Sequence, residues 1–301
     1  MALADLLTTI RTGPGPKPRD DELDLFGLTH PGKVRRENQD HFLLGTVHHQ
    51  IVIHATSLPD SEGLPLRGER LGTILLVADG VGGGKAGRDA SQLAVEAITR
   101  YVSSTMGCFH TSGRSAEKEF YEALRAAALE AHAAVLAEAA GRPEAKGMAT
   151  TMTLALAVWP WMYVVQVGDS RCYYYRDGVL RQVTRDQTLA QNLADQGVLP
   201  ADRVAFSPLN NVLASAIGGG EGAAPEVSRF DISDRECVIL LCSDGLTKHV
   251  TDPEIAAQIG AMESSEQLCR TLVDLALERG GSDNITVLAG TARVRPGQAP
   301  T

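Results

Sequence analysis

Hydrophobic and polar positions divide this chain into alternating blocks of strands and helices. Apolar runs and alternating patterns predict strands at 25–29, 41–44, 50–54, 73–80, 151–158, 162–167, 171–176, 179–183, 226–232, 237–241 and 285–294. Apolar residues at helical spacing predict helices at 88–106, 116–140, 187–196, 253–262 and 265–279. Because hairpins follow one another and helix pairs separate the strand blocks, the sequence predicts an α+β fold of antiparallel sheets with helices packed outside.

Two segments share one pattern: residues 73–80 and 238–245 each run an apolar stretch directly into Asp-Gly. An unbroken apolar run is typical of a strand buried on both faces. Asp79 and Asp244 would therefore each lie at the rim of the core, where together they could hold a metal ion. Gly80 follows the first aspartate, and its carbonyl could also face a cation because glycine lets the chain turn sharply.

Composition narrows the class of protein. The chain has 301 residues, a hydrophobic content of 44% and a formal net charge of −9. The negative charge argues against a nucleic-acid partner, since phosphate backbones attract clustered Lys and Arg. No apolar run has membrane-spanning length and no secretion signal begins the chain, so we expect no membrane association and a cytoplasmic location.

Further carboxylates occupy similar positions at predicted strand ends, namely Asp40, Asp169 and Asp283. Each aspartate taken alone could simply cap a turn. Several carboxylates gathered in a low dielectric would repel one another unless a cation neutralised them, so their combination predicts a divalent metal centre. Oxygen ligands without histidine or thiolate favour magnesium or manganese over zinc.

Taken in order, the motifs resemble the metal-dependent serine/threonine protein phosphatases of type 2C, in a bacterial form. The resemblance extends from about residue 25 to 293 and is carried by segments 34–40, 78–91, 150–151, 167–171, 180–186, 242–246 and 282–286. It implies a four-layer α-β-β-α sandwich of two antiparallel sheets flanked by helices. The Gly-Pro repeat and the charged run within 1–22 predict a flexible N-terminal tail there. We expect the catalytic domain over 23–295 and a C-terminal tail at 296–301.

The resemblance further implies a centre of two Mn²⁺ or Mg²⁺ ions. Asp79 would bridge both ions, Gly80 would offer its carbonyl to one, and Asp244 and Asp283 would complete the other. Arg35 would grip the substrate phosphate through its planar fork.

Asp40 would orient a water molecule. A water shared by two divalent ions loses a proton readily and could attack phosphorus directly, without a phosphoenzyme. The implied partners are phosphorylated proteins, namely a serine/threonine kinase or its targets, in a signalling role that opposes a bacterial kinase.

Some positions depart from the pattern of the family. Gln39 replaces a frequent glutamate, and Gln187 replaces a usual histidine. Lys248 stands where many relatives have an aspartate, which with Asp169 would bind a third ion. Because the lysine ammonium could lie where that ion would sit, we expect the third ion to bind weakly or not at all.

Two alternatives remain open. One is a phosphohydrolase for another phosphorylated partner, such as phosphoserine on an anti-sigma-type regulator, with the irregular segment 197–211 acting as a flap that sets the choice. The other is a phosphatase-fold binding or regulatory module with little activity.

Overall fold

A computed structural model of the protein describes residues 15–50, 67–82, 85–110, 117–220, 222–233 and 236–292. The strands are β1 (Leu23–His30), β2 (His41–Gln50), β3 (Arg67–Ala78), β4 (Gly80–Val81), β5 (Ala149–Thr150), β6 (Met152–Val158), β7 (Trp161–Val167), β8 (Arg171–Arg176), β9 (Val179–Gln182), β10 (Ile217–Gly218), β11 (Glu226–Asp231), β12 (Val238–Cys242) and β13 (Ile285–Ala292). The α-helices are α1 (Lys85–His110), α2 (Glu117–Gly141), α3 (Leu189–Asp195), α4 (Asp244–Thr247), α5 (Asp252–Gly260) and α6 (Ser265–Glu278). Within the described residues, no helix is both long and apolar enough to cross a lipid bilayer.

The strands form two five-stranded sheets and one small three-stranded sheet. The first large sheet has the order β1-β13-β12-β8-β9, and the second has the order β11-β7-β6-β3-β2. The small sheet, β10-β5-β4, follows directly from β3 through Asp79. The pairings of the described strands are antiparallel, as the sequence predicts.

Three hydrophobic clusters define the layers of the fold. One joins the inner sides of α1 and α2 to the second large sheet. Another joins α5 and α6 to the first large sheet, and the last lies between the two sheets. The protein is therefore a four-layer α-β-β-α sandwich, which confirms the predicted fold class.

The strands that end in Asp-Gly are buried on both faces. In β3, Leu76 packs toward the helices while Leu75 packs between the sheets. In β12, Leu240 packs toward the other helix pair and Leu241 packs between the sheets. Full burial of a leucine side chain is worth roughly 1.5–3 kcal/mol, so these alternating contacts fix each strand firmly and fix the position of the aspartate at its end.

The structure differs from the predicted strand pattern near residue 45. The sequence predicts separate strands at 41–44 and 50–54, whereas β2 runs without interruption from His41 to Gln50. The pairing of β2 with β3 shifts register at His48, and this irregularity lets the strand continue through polar residues. Residues 51–54 lie outside the described part of the chain.

Residues 15–22, which the sequence analysis assigns to a flexible tail, are packed against the domain. The indole nitrogen of Trp159 donates to the carbonyl of Gly15 over 3.1 Å. The buried guanidinium of Arg70 pairs with Asp20, with 2.6 Å between Nη1 and Oδ1. The composition of this stretch is that of a tail, but its contacts with the domain arise from residues far along the chain. Residues 1–14 and 293–301, which include the predicted C-terminal tail, lie outside the described residues.

Candidate metal centre

The acidic strand ends meet at one end of the sandwich. Asp79 follows β3, Asp169 follows β7, Asp244 follows β12 and begins α4, and Asp283 precedes β13. These four residues and Arg35 line one open cleft of about 910 Å³. The structure thus brings together residues that lie far apart in the sequence.

The backbone of Asp79 is fixed by Thr150, the last residue of β5, and by Thr151, which follows it. The amide of Asp79 donates to Oγ1 of Thr151 over 3.0 Å, and its carbonyl accepts from the Thr151 amide over 2.9 Å. The Thr150 hydroxyl also donates to this carbonyl over 2.8 Å. The next residue must be glycine, because a Cβ on Gly80 would lie 2.3 Å from the carbonyl oxygen of Gly87.

Asp40 is buried beneath the cleft and is held by two hydroxyl groups. Its Oδ2 accepts from the hydroxyl of Ser243 over 2.8 Å and from that of Thr286 over 2.7 Å. Its Oδ1 is buried and has no hydrogen-bond partner. Sequence reasoning missed these two supports. The sequence did contain a hint of them, because Ser243 directly precedes Asp244 and Thr286 lies in the segment that follows Asp283.

The cluster raises the pKa of several carboxyl groups. Burial raises the pKa of Asp79 well above its usual range, and the negative charges of nearby carboxylates raise it further. Burial likewise raises the pKa of Asp40 to about 6, against the opposing effect of its two hydroxyl donors. Burial and the charge of Asp244 raise the pKa of Asp169 to about 7. These carboxylates therefore lie in an environment that favours neutralisation by a proton or a cation.

Two cationic side chains neutralise the outer part of the cluster. The Lys248 ammonium lies 2.6 Å from Oδ2 of Asp244 and 2.9 Å from Oδ2 of Asp283. Arg35 forms a fork on Asp283, with Nε 2.8 Å from Oδ1 and Nη2 2.8 Å from Oδ2. Although burial raises the pKa of Asp283, the hydrogen bonds from Arg35 and Lys248 lower it below its usual value. Lys248 thus contacts Asp244 and Asp283 directly, and the expectation that it weakens a third ion beside Asp169 stays a prediction.

Close backbone packing sets Asp244 beside Asp283. A Cβ on Gly245 would lie 1.9 Å from the carbonyl oxygen of Asn284, so glycine is required where α4 meets the start of β13. The Asn284 side chain then fixes the loop that carries Arg35. Its Oδ1 accepts from the Gln39 amide over 2.9 Å, and its Nδ2 donates to a carbonyl of the same loop.

The turn that carries Asp169 is held by Gln187. Gly168 adopts a φ of +100°, and its amide donates to Oε1 of Gln187 over 2.9 Å. The backbone amide of Gln187 donates to the Gly168 carbonyl over 2.9 Å. The backbone carbonyl of Gln187 accepts from the Ala214 amide over 2.8 Å. Residues 211–216 line the cleft, so Gln187 ties the wall of the cleft to the Asp169 turn.

The donor atoms suit a hard divalent cation. Within the described residues, no group of three or more His, Cys, Asp or Glu side chains is already arranged as a metal-ligand cluster. Arg35 and Lys248 instead occupy the oxygens of Asp283 and one oxygen of Asp244. Buried carboxylate oxygens of Asp40 and Asp244 nevertheless have no hydrogen-bond partner, and magnesium and manganese prefer oxygen ligands of this type.

The sandwich and the acidic cleft define the class of this chain, and comparison with known families agrees. The profile of the family described as Protein phosphatase 2C matches residues 64–278. The chain belongs to this family.

Similar proteins include the serine/threonine protein phosphatase PstP of Mycobacterium tuberculosis, which is 34% identical over 217 residues. That alignment covers 71% of this chain and 39% of the relative, so the matched region spans less than half the length of PstP. The serine/threonine phosphatase stp of Listeria monocytogenes is 33% identical over 217 residues, covering 71% of this chain and 82% of the relative.

Solved structures of the family share the fold. A crystal structure of PstP from Mycobacterium tuberculosis superposes with a TM-score of 0.72 at 28% identity, covering 90% of this chain and 99% of that chain. A structure of the PstP catalytic domain in complex with two manganese ions superposes with a TM-score of 0.70 at 28% identity and the same coverage.

Proposed function

We propose that this chain is a protein-serine/threonine phosphatase that requires Mn²⁺ or Mg²⁺. The observation that carries the proposal is the cleft at the end of the sandwich, where Asp79, Asp169, Asp244 and Asp283 lie together with Arg35. Relatives named serine/threonine phosphatases, identical to this chain at about a third of the aligned residues, support the same activity.

Four residues would hold two ions in this proposal. Asp79 would contribute to both positions, with the Gly80 carbonyl at the inner one and Asp244 and Asp283 at the outer one. The related catalytic domain with two manganese ions supports this number. A bound divalent ion would act as a Lewis acid on the phosphoryl group and make a water molecule acidic enough to be the nucleophile. Asp169 is the candidate for a third, weaker position.

Arg35 would bind the phosphate of the substrate. Its side chain is 56% exposed at the edge of the cleft, and its guanidinium makes paired contacts with the carboxylate of Asp283. A phosphate presents the same geometry of paired oxygens, so Arg35 could exchange one anionic partner for the other. Negative charge that develops on the transferring group would then be stabilised by a positioned cation.

Asp40 would orient the attacking water. Ser243 and Thr286 fix Oδ2, which leaves the unpartnered Oδ1 free to accept a hydrogen bond from a water molecule. A water held in this way loses rotational freedom before the reaction and presents a lone pair to phosphorus. Asp40 would therefore act through position rather than as a ligand.

The cleft is open enough for a phosphorylated side chain that projects from a protein surface. One wall consists of residues 211–216, at the end of the predicted flap 197–211. This segment contains short 3₁₀ helices at Ala201–Phe206 and Pro208–Asn211. We propose phosphoserine and phosphothreonine proteins as substrates, a serine/threonine kinase or its targets as partners, and the cytoplasm as the location.

A regulatory module with little activity is the second candidate function. One observation favours it: the Lys248 ammonium occupies the oxygens of Asp244 and Asp283 that a metal ion would use. A module of this kind would bind a phosphorylated partner through Arg35 without hydrolysing it.

Hydrolysis of a phosphothreonine peptide by the full chain tests the proposal. We expect phosphate release with Mn²⁺, loss of release with a chelator, and recovery when Mn²⁺ is restored. Circular dichroism at each step would show that chelation does not unfold the protein. Peptide binding without hydrolysis would favour the regulatory module, and hydrolysis that persists after complete metal removal would contradict the proposed phosphatase.

A further inference from the structure

Lys248 connects the two carboxylates of the outer position. Its ammonium lies within hydrogen-bond distance of Oδ2 of both Asp244 and Asp283. The Asp283 carboxylate also accepts hydrogen bonds from the guanidinium of Arg35 and from the backbone amide of Asn284, which donates to Oδ1 over 3.0 Å. The charge of the outer pair of carboxylates is therefore balanced by two cations of the chain itself, although Oδ1 of Asp244 is buried without a hydrogen-bond partner.

The backbone that carries Lys248 is fixed in place. The Lys248 amide donates to the Asp244 carbonyl over 2.9 Å, which continues the turn of α4. The next residue, His249, accepts from the Ser282 amide over 3.0 Å through Nε2 and from Arg279 over 2.8 Å through its carbonyl. These contacts join both sides of the outer position. The backbone thus places Lys248 within reach of the two carboxylates, while its partly exposed side chain keeps rotatable bonds through which the ammonium can leave them.

The inner position has a different charge balance. Among the described residues, no lysine or arginine forms an ion pair with Asp79 or Asp40. Asp40 is buried and its Oδ1 has no hydrogen-bond partner, while Asp79 is partly buried and faces the cleft. A divalent ion at the inner position would meet unpaired negative charge, whereas one at the outer position would have to displace an ammonium ion first.

We propose that Lys248 is a built-in counter-cation that competes with the divalent ion for Asp244 and Asp283. This inference rests on the proposed metal centre and adds that its two positions differ in affinity. The inner position fills first, and the outer position fills only when the flexible lysine side chain moves away. This competition raises the apparent dissociation constant of the outer position, so that it fills only at a higher concentration of free metal than the inner one.

Calorimetric titration of the metal-free full chain with Mn²⁺ tests this inference directly. In the wild type we expect a tight and a weak binding step, with dissociation constants that differ by about 10-fold or more, which corresponds to one ion-pair contact in a partly buried site. Lys248→Met and Lys248→Gln keep much of the side-chain volume but remove the charge. Both should tighten the weak step by about 10-fold.

Two further variants separate competition from a purely structural role. Lys248→Arg keeps a cation and should keep the weak step weak, while Lys118→Met removes an exposed lysine on α2 and should change neither step. Without metal, Lys248→Met should melt at a lower temperature than the wild type because Asp244 and Asp283 lose their counter-cation. If Lys248 had only a structural role, its replacement would lower the melting temperature without increasing the affinity for Mn²⁺.

The outcomes are distinguishable from a failure of the proposed function. Two wild-type steps of equal affinity would overturn the inference whatever the variants do. It would also be overturned if the dissociation constant of the weak step in folded Lys248→Met or Lys248→Gln stayed within twofold of the wild-type value. That result would leave the proposed metal-dependent hydrolysis untouched. If neither the wild type nor any variant bound Mn²⁺, that result would instead contradict the proposed metal centre itself.

Discussion

The hydroxyl of Ser243 donates to Oδ2 of Asp40 over 2.8 Å, although the two residues are 203 positions apart in the chain. Ser243 also accepts from the Thr286 amide over 3.0 Å. One hydroxyl group therefore joins the end of β12, the start of β13 and the loop before β2. Because Asp244 is the next residue, this contact couples the position of the buried carboxylate to that of a proposed metal ligand.

Ser243→Ala should destabilise the protein. The substitution removes a donor from a buried carboxylate and an acceptor from a buried amide, and each unsatisfied group costs about 1–3 kcal/mol. Urea unfolding of the metal-free protein would measure the loss. Ser103→Ala, which removes an exposed hydroxyl on α1, is the matched control. Equal unfolding midpoints for the two variants would show that the Ser243 contact carries no stability.

Gly245→Ala should be among the most damaging single-methyl additions in this chain. The new Cβ would lie 1.9 Å from the Asn284 carbonyl oxygen, so α4 and the start of β13 must separate. We expect a loss of about 3 kcal/mol or more together with weaker Mn²⁺ binding, because the Asp244 and Asp283 carboxylates move apart.

Gly141→Ala provides the comparison, since a Cβ there meets no atom within 4 Å at the end of α2. Thermal melting and Mn²⁺ titration of both proteins would measure the expected losses of stability and of Mn²⁺ affinity. A Gly245→Ala protein with wild-type stability and affinity would contradict the close packing on which the outer position depends.

Arg35→Lys should weaken substrate binding more than it slows chemistry. Lysine keeps the charge but cannot make two parallel hydrogen bonds to a phosphate. We expect KM for a phosphothreonine peptide to rise about 10-fold with a smaller change in kcat, as for the loss of one charge-assisted hydrogen bond. Arg36→Lys changes the neighbouring exposed arginine and should leave KM unchanged. The same rise in KM in both variants would indicate a nonspecific effect of arginine replacement rather than a specific hydrogen-bonded contact between Arg35 and the phosphate.

The ion pair between Glu254 and Arg279 should make stability depend on pH. Hydrogen bonds from Arg279, followed by those from Thr251, lower the pKa of Glu254 to about 2. Because the folded value lies below the unfolded value of about 4.3, the contribution is complete above the unfolded pKa and is lost as pH falls toward the folded pKa.

Urea midpoints of wild type and Glu254→Gln should therefore differ at pH 7 and converge between about pH 4 and pH 2. Glu263→Gln, at an exposed position before α6, should match the wild type throughout. A difference between wild type and Glu254→Gln that stays constant down to pH 2 would contradict the assigned pKa shift.

The sequence was sufficient to predict the strands of the two large sheets and the acidic strand ends, but not β5 and β10 of the small sheet. Strands β3 and β12 are buried on both faces, and their uninterrupted apolar runs predict this burial directly. Asp79 and Asp244 then follow as carboxylates at the rim of the core. Asp-Gly endings were informative because Gly80 and Gly245 occupy positions where a Cβ would overlap backbone atoms.

Contacts between distant segments limited the rest of the prediction. The pair between Lys248 and Asp244 has the i,i+4 spacing of a helix, but α4 is four residues long and its local pattern is weak. The contact of Lys248 with Asp283 depends on the way β12 and β13 pair, which composition cannot reveal. The same applies to Asp20, whose partner Arg70 lies 50 positions away.

The central claim is that this end of the sandwich is a metal-dependent phosphatase centre, and the rate of phosphothreonine-peptide hydrolysis by Asp79→Asn at a fixed Mn²⁺ concentration tests it most directly. Asparagine keeps the shape of the side chain and removes the charge that both ions would share. We predict that kcat/KM falls by at least about 100-fold. The exposed substitution Asp274→Asn on α6 should leave it unchanged. A folded Asp79→Asn protein that hydrolyses the peptide at the wild-type rate would contradict the claim.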